Sequence, residues 1–513
     1  MNAIVTIQSG HTVTLAQAET VGSVVINGTL DADTYSLTGT TDFTITSTGT
    51  VVIGGASNLP SGFTTYTLNP GSTVNYDGNM DQTVGVTTYS NLILSGSGVK
   101  TYTVDVATPV TNLTVNSGIT LALNGTNTLT PVSATIDGTV TVSNTATLAK
   151  GTSVISFNAG SVYNHSRNGG AIPVSTWDAS SIVNITGITN TVPTLSSFNQ
   201  SFGNLTWNST AQTAAISLAG NLTTLVGNLS VVSTGSGNTR LVNSSNSLLG
   251  LTVGGNFTQS GGTLYVYGDN TGNVGGGFLV TVNGNFSISG GTLNLDANTD
   301  ASSSGTINVK GNFSVTGGTI TESGSGTANI NFTGTSVQTY FKSAGTISNA
   351  VNFGINTGSI VDFGTSLLDG SVGTFNLLSG GTLITANTGG IASTGATGTV
   401  RTTGTRSFNA AANYVYNGTA SQVTGTGLPT TLTGNLTINN TGATGNNTVT
   451  LTAPTTVSGV VTLTSGLLLT TTNLLSVSNT SQSAIVGGST SSYVNGPLSR
   501  SLPASLLSGT IYN

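Results

Sequence analysis

The chain has 513 residues, with 9 Lys or Arg, 15 Asp or Glu and no Cys. Charged residues make up 5% and the formal net charge is −6, where ordinary soluble proteins are roughly a quarter charged. The lack of any basic patch makes nucleic acid a poor partner, and the lack of Cys excludes disulfides, thiolate metal sites and cysteine nucleophiles.

Thr, Ser, Asn and Gly stand where charge is missing, while 36% of the residues are hydrophobic, enough to bury a core. The β-branched residues Val, Ile and Thr favour strands, and no long stretch carries helical periodicity. In chain order, the opening MNAIVTIQSGHTVTL lacks the basic and apolar regions of a signal peptide. No run of 18 apolar residues follows, so no membrane-spanning helix is expected. Over residues 1–200, Gly28, Gly49, Gly71, Gly98, Gly118, Gly138 and Gly160 each precede an alternating Thr/apolar stretch, mostly at steps of 20–22 residues. Residues 201–345 contain GNFTQSGGTLYV, GNFSISGGTLNL and GNFSVTGGTITE, beginning at Gly255, Gly284 and Gly311, with steps of 29 and 27. Residues 346–490 continue with Gly358, Gly381 and Gly404, each 23 apart. Residues 491–513 read as the start of a following segment, and both ends look cut from a longer protein.

A second phrase, Asn then Leu or Phe then alternation, recurs at Asn91, Asn112, Asn204, Asn221, Asn228, Asn256, Asn285, Asn312 and Asn435. Alternation makes each a half-buried strand of four or five residues. Short strands, Gly corners and a loose period without helix are satisfied by a parallel β-helix (β-solenoid) with coils of about 20–29 residues, because a single coil cannot bury its inner face without stacked neighbours. At about 4.8 Å per coil, roughly 20 coils would make a rod about 100 Å long. The preference of parallel crossovers makes it right-handed. An immunoglobulin-like sandwich array would not produce this period, and disorder would need higher net charge and lower hydrophobicity. The repeated Asn either forms a ladder from coil to coil or takes a left-handed corner; its Asn-x-Ser/Thr matches are expected by chance in so polar a chain.

One stretch is more specific: SVYNHSRNGGAIPVSTWDASSIVNITGITNTVPTLSSFNQSFGNLTWN, from Ser161 to Asn208. Tyr163, His165, Gly169, Gly170, Ile172, Pro173, Trp177 and Phe202 to Asn208 resemble a module of very large, repetitive cell-surface proteins of the Bacteroidetes. Val5 to Leu15 and the phrase YVNGPLSRSLPAS, Tyr493 to Ser505, look like the same group. The resemblance implies an exported adhesin or gliding adhesin, often carried by type IX secretion machinery. The C-terminal sorting domain of such proteins is not visible in this sequence.

Catalytic patterns are sparse. His165 and Ser166 are adjacent and should point to opposite faces of a strand, against a Ser-His-Asp triad; the plainer expectation is a loop pinned by Arg167–Asp178 with Trp177 as an aromatic plug. Glycoside hydrolysis needs two carboxyls about 5–10 Å apart; Asp31/Asp33, Asp77/Asp81, Asp296/Asp300 and Asp362/Asp369 qualify by spacing, and the first two pairs read as turns. Calcium turns of the Gly-Gly-x-Gly-x-Asp type are absent, GDNTGNVGGG at Gly268 being the nearest approach. The Gly-rich phrases lack the Lys and helix of a nucleotide loop. An ice-binding lattice is disfavoured because Thr12/Thr14, Thr44/Thr46, Thr65/Thr67, Thr101/Thr103 and Thr139/Thr141 are irregularly spaced.

The reading is therefore an all-β solenoid, extracellular or on the bacterial cell surface, structural or adhesive, non-enzymatic, and without cofactor or metal. Glycans or surfaces are the expected partners, with Trp177, Trp207, Tyr163 and His165 as candidate contacts. A polysaccharide-active β-helix and a self-assembling surface filament are the alternatives.

Overall fold

The computed structural model describes residues 3–56, 59–85, 88–102, 109–126, 128–243, 245–268, 275–505 and 509. Thr103, most of GDNTGNVGGG and nearly all of the last eight residues lie outside them. The chain forms two compact units, 1–238 and 239–513. Both are all-β solenoids of short parallel strands, and the only helical elements described are two 3₁₀ turns, Leu195–Phe198 and Gln482–Ala484.

In the first unit, Thr12–Thr14, Thr29–Asp31, Thr50–Ile53, Thr73–Tyr76, Tyr89–Leu94, Pro109–Val115, Thr128–Ile136, Ile155–Phe157 and Thr176–Trp177 stack into one parallel sheet. A second face carries Gln82–Thr83, Val99–Tyr102, Thr120–Gly125, Thr139–Asn144, Val162–Ser166, Ile182–Ile185, Asn204–Asn208 and Leu229–Ser233. Strict in–out alternation drives the stacking: Val140 and Val142 are buried, with Thr139 and Thr141 half-exposed between them. Each such side chain contributes roughly 1.5–3 kcal/mol when buried, and only a neighbouring coil can bury it.

In the second unit the GNF repeats are successive coils. Thr263, Thr292, Thr319 and Thr346 stand in one register, and each of the last three donates its backbone N–H to the Gly preceding the Thr one coil back. Gly291 and Gly318 turn the corner at φ of 73° and 68°, a region that other residues seldom occupy. Phe257, Phe286, Phe313 and Tyr340 stack as a column inside, with centroids 5.0, 5.0 and 5.3 Å apart, and Tyr340 meets Phe363 at 4.8 Å. Phe286 and Ile288 point inward, and Ser287 and Ser289 point outward.

Two of the Gly steps are corrected by the register. Gly71 and Gly98 do not mark one coil: Thr73 pairs with Asn91, whereas Gly98 precedes Val99 on a different sheet. Gly404 likewise leaves the row of Gly358 and Gly381, because Thr382 pairs with Asn413, 31 residues on. Along the paired strands the offset between coils falls from that length to 17 residues, as between Thr14 and Asp31. Some glycines serve close approach instead of positive φ: a Cβ on Gly28 would lie 2.3 Å from the carbonyl oxygens of Gln8 and His11.

The repeated Asn forms a ladder, on the outside of the coil. Asn285, Asn312 and Thr339 each donate their backbone N–H to the Asn side-chain oxygen one coil earlier, at 2.7, 2.9 and 2.8 Å. None of the nine motif asparagines has positive φ. Asn221 is the exception to the ladder, since its side chain bonds the Leu218 carbonyl within its own turn.

Tyr76-x-Gly78-x3-Gln82, Phe332-x-Gly334-x3-Gln338 and Tyr416-x-Gly418-x3-Gln422 build the same buried joint three times. Each Gln accepts the Gly N–H and donates to two carbonyls of the preceding coil: Ile53 and Gly55, Val309 and Gly311, Thr385 and Asn387.

Candidate functional site

The four aromatic and imidazole candidates lie in the interior of the first unit. Tyr163 and His165 are fully buried, Trp207 is 2% exposed and Trp177 is 9% exposed. Alternation along Val162–Ser166 and Asn204–Asn208 sends these side chains inward, so their expected role as surface contacts is not the one they take. Trp177 does plug the core: it stacks on Phe157 at 4.3 Å and meets Tyr163 edge-on at 6.1 Å. Its Nε1 donates to Gln200 Oε1 at 2.9 Å, and Trp207 Nε1 donates to Gln212 Oε1 at the same distance.

His165 Nε2 lies 2.8 Å from the Gly169 carbonyl, and Nδ1 lies 3.4 Å from the Tyr163 hydroxyl. A neutral ring satisfies both contacts if Nε2 carries the proton and accepts at Nδ1. Burial pushes its pKa down to about 4. Ser166 faces outward and bonds Thr186, so the adjacent pair is split across the strand. The expected Arg167–Asp178 pin does not form. Arg167 Nη1 instead donates to the carbonyls of Thr145 and Ala146 and to Thr147 Oγ1. Asp178 is occupied by the backbone N–H and hydroxyl of Ser180, which hold its carboxyl below the usual range.

Most of the paired carboxylates are likewise committed to neighbouring groups. Asp31 accepts from Asp33 N–H, Asp81 from Val99 N–H, Asp300 from Ser302 and Asp362 from Gly364 N–H. Lys342 holds Asp369 at 2.8 Å. Asp296 is buried and accepts from Asn298 N–H and Ser303 Oγ at 2.8 Å each; burial pushes its pKa up to about 6. Asp296 and Asp300 therefore organise one loop, both accepting from the Ser303 hydroxyl, the first through its carboxylate and the second through its carbonyl. No group of three or more acidic, His or Cys side chains able to hold a metal occurs among the described residues.

An extended polar feature of the second unit is the outer face of Ser304–Val309, Thr327–Phe332, Val351–Ile355 and Phe375–Leu377. One row runs Thr306, Asn329, Asn352: Asn329 donates to Thr306 at 3.2 Å and Asn352 to Asn329 at 3.3 Å. Thr374 extends it, donating both its N–H and its hydroxyl to Asn352 Oδ1. The neighbouring row is Asn308, Asn331, Gly354, Asn376. Asn331 donates to Asn308 at 3.1 Å, and the row is then interrupted at Gly354. A shallow gap of about 210 Å³ opens there. It is lined by amides of Asn331, Asn352, Asn356 and Asn376, with Leu378 at its edge. No lining side chain is ionisable, so the face offers neutral hydrogen bonding of both polarities. No protein-family model, curated protein or solved structure matches the chain.

Proposed function

We propose that this chain is a stalk segment of a large, exported bacterial cell-surface protein that works by extension and by repeated weak polar contacts, and not by catalysis. The observation that carries the reading is the alternation of the described strands between a mostly apolar buried inside and a mostly uncharged hydroxyl and amide outside, as in Asn329, Asn331 and Asn352 over Ile330 and Phe353. Such a surface has little to attract one charged ligand strongly and much to offer many weak contacts at once, which multiply as avidity. The location on the surface of a Bacteroidetes cell, a gliding or adhesive role and export by type IX machinery rest on the resemblance carried by Tyr163 to Asn208.

Beads coated with the intact chain test the adhesive part. Their retention on polysaccharide-coated surfaces should change less than about twofold between low and high salt, since screening acts on charges. A steep loss with salt, or turnover of a polysaccharide by the purified chain, overturns the reading.

A further inference from the structure

Of these two outer rows of the second unit, one is interrupted at a single position, and that position carries an inference. The row through Thr306, Asn329 and Asn352 is continuous, each side chain bonded to the one before. Its neighbour breaks at Gly354. The backbone there does not require glycine, because Gly354 is not among the residues with positive φ. A Cβ added at this point would meet only side-chain atoms, Asn331 Oδ1 at 2.7 Å and Asn356 Oδ1 at 3.6 Å among them. Glycine at this point leaves the place of a side chain to the Asn331 carboxamide, which reaches over the buried Gly354, and the gap lies beside it.

We infer that the gap over Gly354 is a subsite for one sugar unit of a neutral glycan, an inference that rests on the adhesive reading and gives it a location. The gap is smaller than the several hundred Å³ of a typical drug-sized pocket, which suits a single ring. A carboxamide carries one acceptor and two donors; the rows use one N–H each of Asn331 and Asn352 and the Asn352 oxygen, and what they leave matches hydroxyls that both give and receive hydrogen bonds, while Leu378 supplies an apolar side for ring carbons. An acidic polysaccharide would call for Arg or Lys, and neither lines the gap. An added peptide strand would need a free sheet edge, and this is a sheet face with paired strands on both sides. Asn and Thr of adjacent coils continue the same chemistry, so a chain of sugars would run from coil to coil.

The test is a binding titration of the intact chain with neutral hexasaccharides (glucan, mannan and chitin series) and with acidic oligogalacturonate. At least one neutral series should bind and the acidic one should not bind better. Gly354→Asn, which fills the gap, should weaken neutral binding by roughly tenfold or more, about 1.4 kcal/mol, with unchanged circular dichroism. Asn352→Leu, which keeps the wall but removes its carboxamide, should do the same and serves if Gly354→Asn misfolds. Asn112→Ala, in the other unit, should bind like the parent. Absence of neutral binding, preference for the acidic oligomer, or full binding by both variants overturns the subsite. If the variants bind fully while coated beads still adhere, only the subsite falls; if beads adhere to no surface, the adhesive reading falls with it.

Discussion

Lys100 stands directly opposite Gln82 in the parallel ladder, and its Nζ donates to Gln82 Oε1 at 2.6 Å. The same ammonium donates to the carbonyls of Gly78 at 2.7 Å and Met80 at 3.2 Å. Lys100 is fully buried, and desolvation lowers its pKa from the ordinary lysine value. The three acceptors define its position. Lys100→Met keeps the length but removes a charged donor from all three, leaving Gln82 Oε1 with Gly78 N–H and the Gly78 carbonyl with Ser97 N–H, at a cost of about 2 kcal/mol. Hydrogen exchange of the intact chain should show faster exchange confined to the coils around Tyr76 and Val99, since solenoid coils answer mainly to their neighbours. Unchanged protection would show that Lys100 only fills space.

The three-fold Gln joint makes a sharper comparison. Gln338→Leu removes the acceptor of Gly334 N–H and a donor to the carbonyls of Val309 and Gly311, of which Val309 keeps Thr333 N–H. A loss of about 1–3 kcal/mol is expected, and the equivalent Gln422→Leu should cost a similar amount. Urea unfolding of both variants checks this. A loss at one joint only would show that the repeated sequence does not carry a repeated energy.

The aromatic column predicts a graded response. Phe286→Ala removes a ring between Phe257 and Phe313 and should cost about 3–5 kcal/mol, whereas Phe286→Leu retains much of the volume and should cost clearly less. Equal effects in thermal unfolding would mean that the stack itself, not the filled volume, is the source of stability.

Two buried titratable groups give opposite pH dependence. His165 is held neutral with a pKa of about 4, against 6.5 for the free side chain. Its contribution is therefore complete above about pH 6.5 and is lost as pH falls toward 4, when the unfolded chain gains a proton that the folded one resists. Asp296 is raised to about 6 from 3.8, so its contribution is complete below about pH 3.8 and is lost as pH rises through 6. Hydrogen exchange resolved by coil should show the neighbourhood of His165 loosening on acidification and that of Asp296 tightening. His165→Gln and Asp296→Asn should each flatten the local profile; profiles unchanged by the substitutions would assign the pH dependence to other groups.

The sequence made the fold legible because the period is carried by chemistry that has few other uses. Thr after Gly, and Leu or Phe after Asn, can only alternate across a strand, and the GNF copies align coil to coil as their spacing requires. The corners were harder to read. A glycine that turns the chain and one that admits a neighbouring carbonyl look alike in sequence, which is why Gly71 and Gly98 were placed in one row though they belong to different sheets. Conspicuous residues misled about the surface: Trp and His occur only twice each in this chain, yet Trp177, Trp207 and His165, with Tyr163, fill its interior. The Tyr/Phe-x-Gly-x3-Gln joint was present in the sequence as a spaced triplet, but isolated Gln residues carry no periodic signal. The interruption at Gly354 was invisible, because only the register shows which row it breaks.

The uneven coil length has a practical consequence. A coil with 31 residues and one with 17 both advance the stack by a single strand spacing, the surplus being accommodated in corner loops such as 386–405. Reach within each unit is thus counted in turns and is indifferent to how much polypeptide each turn consumes. Corner insertions can vary what the protein displays while leaving its span alone, and span changes only when a whole turn is gained or lost.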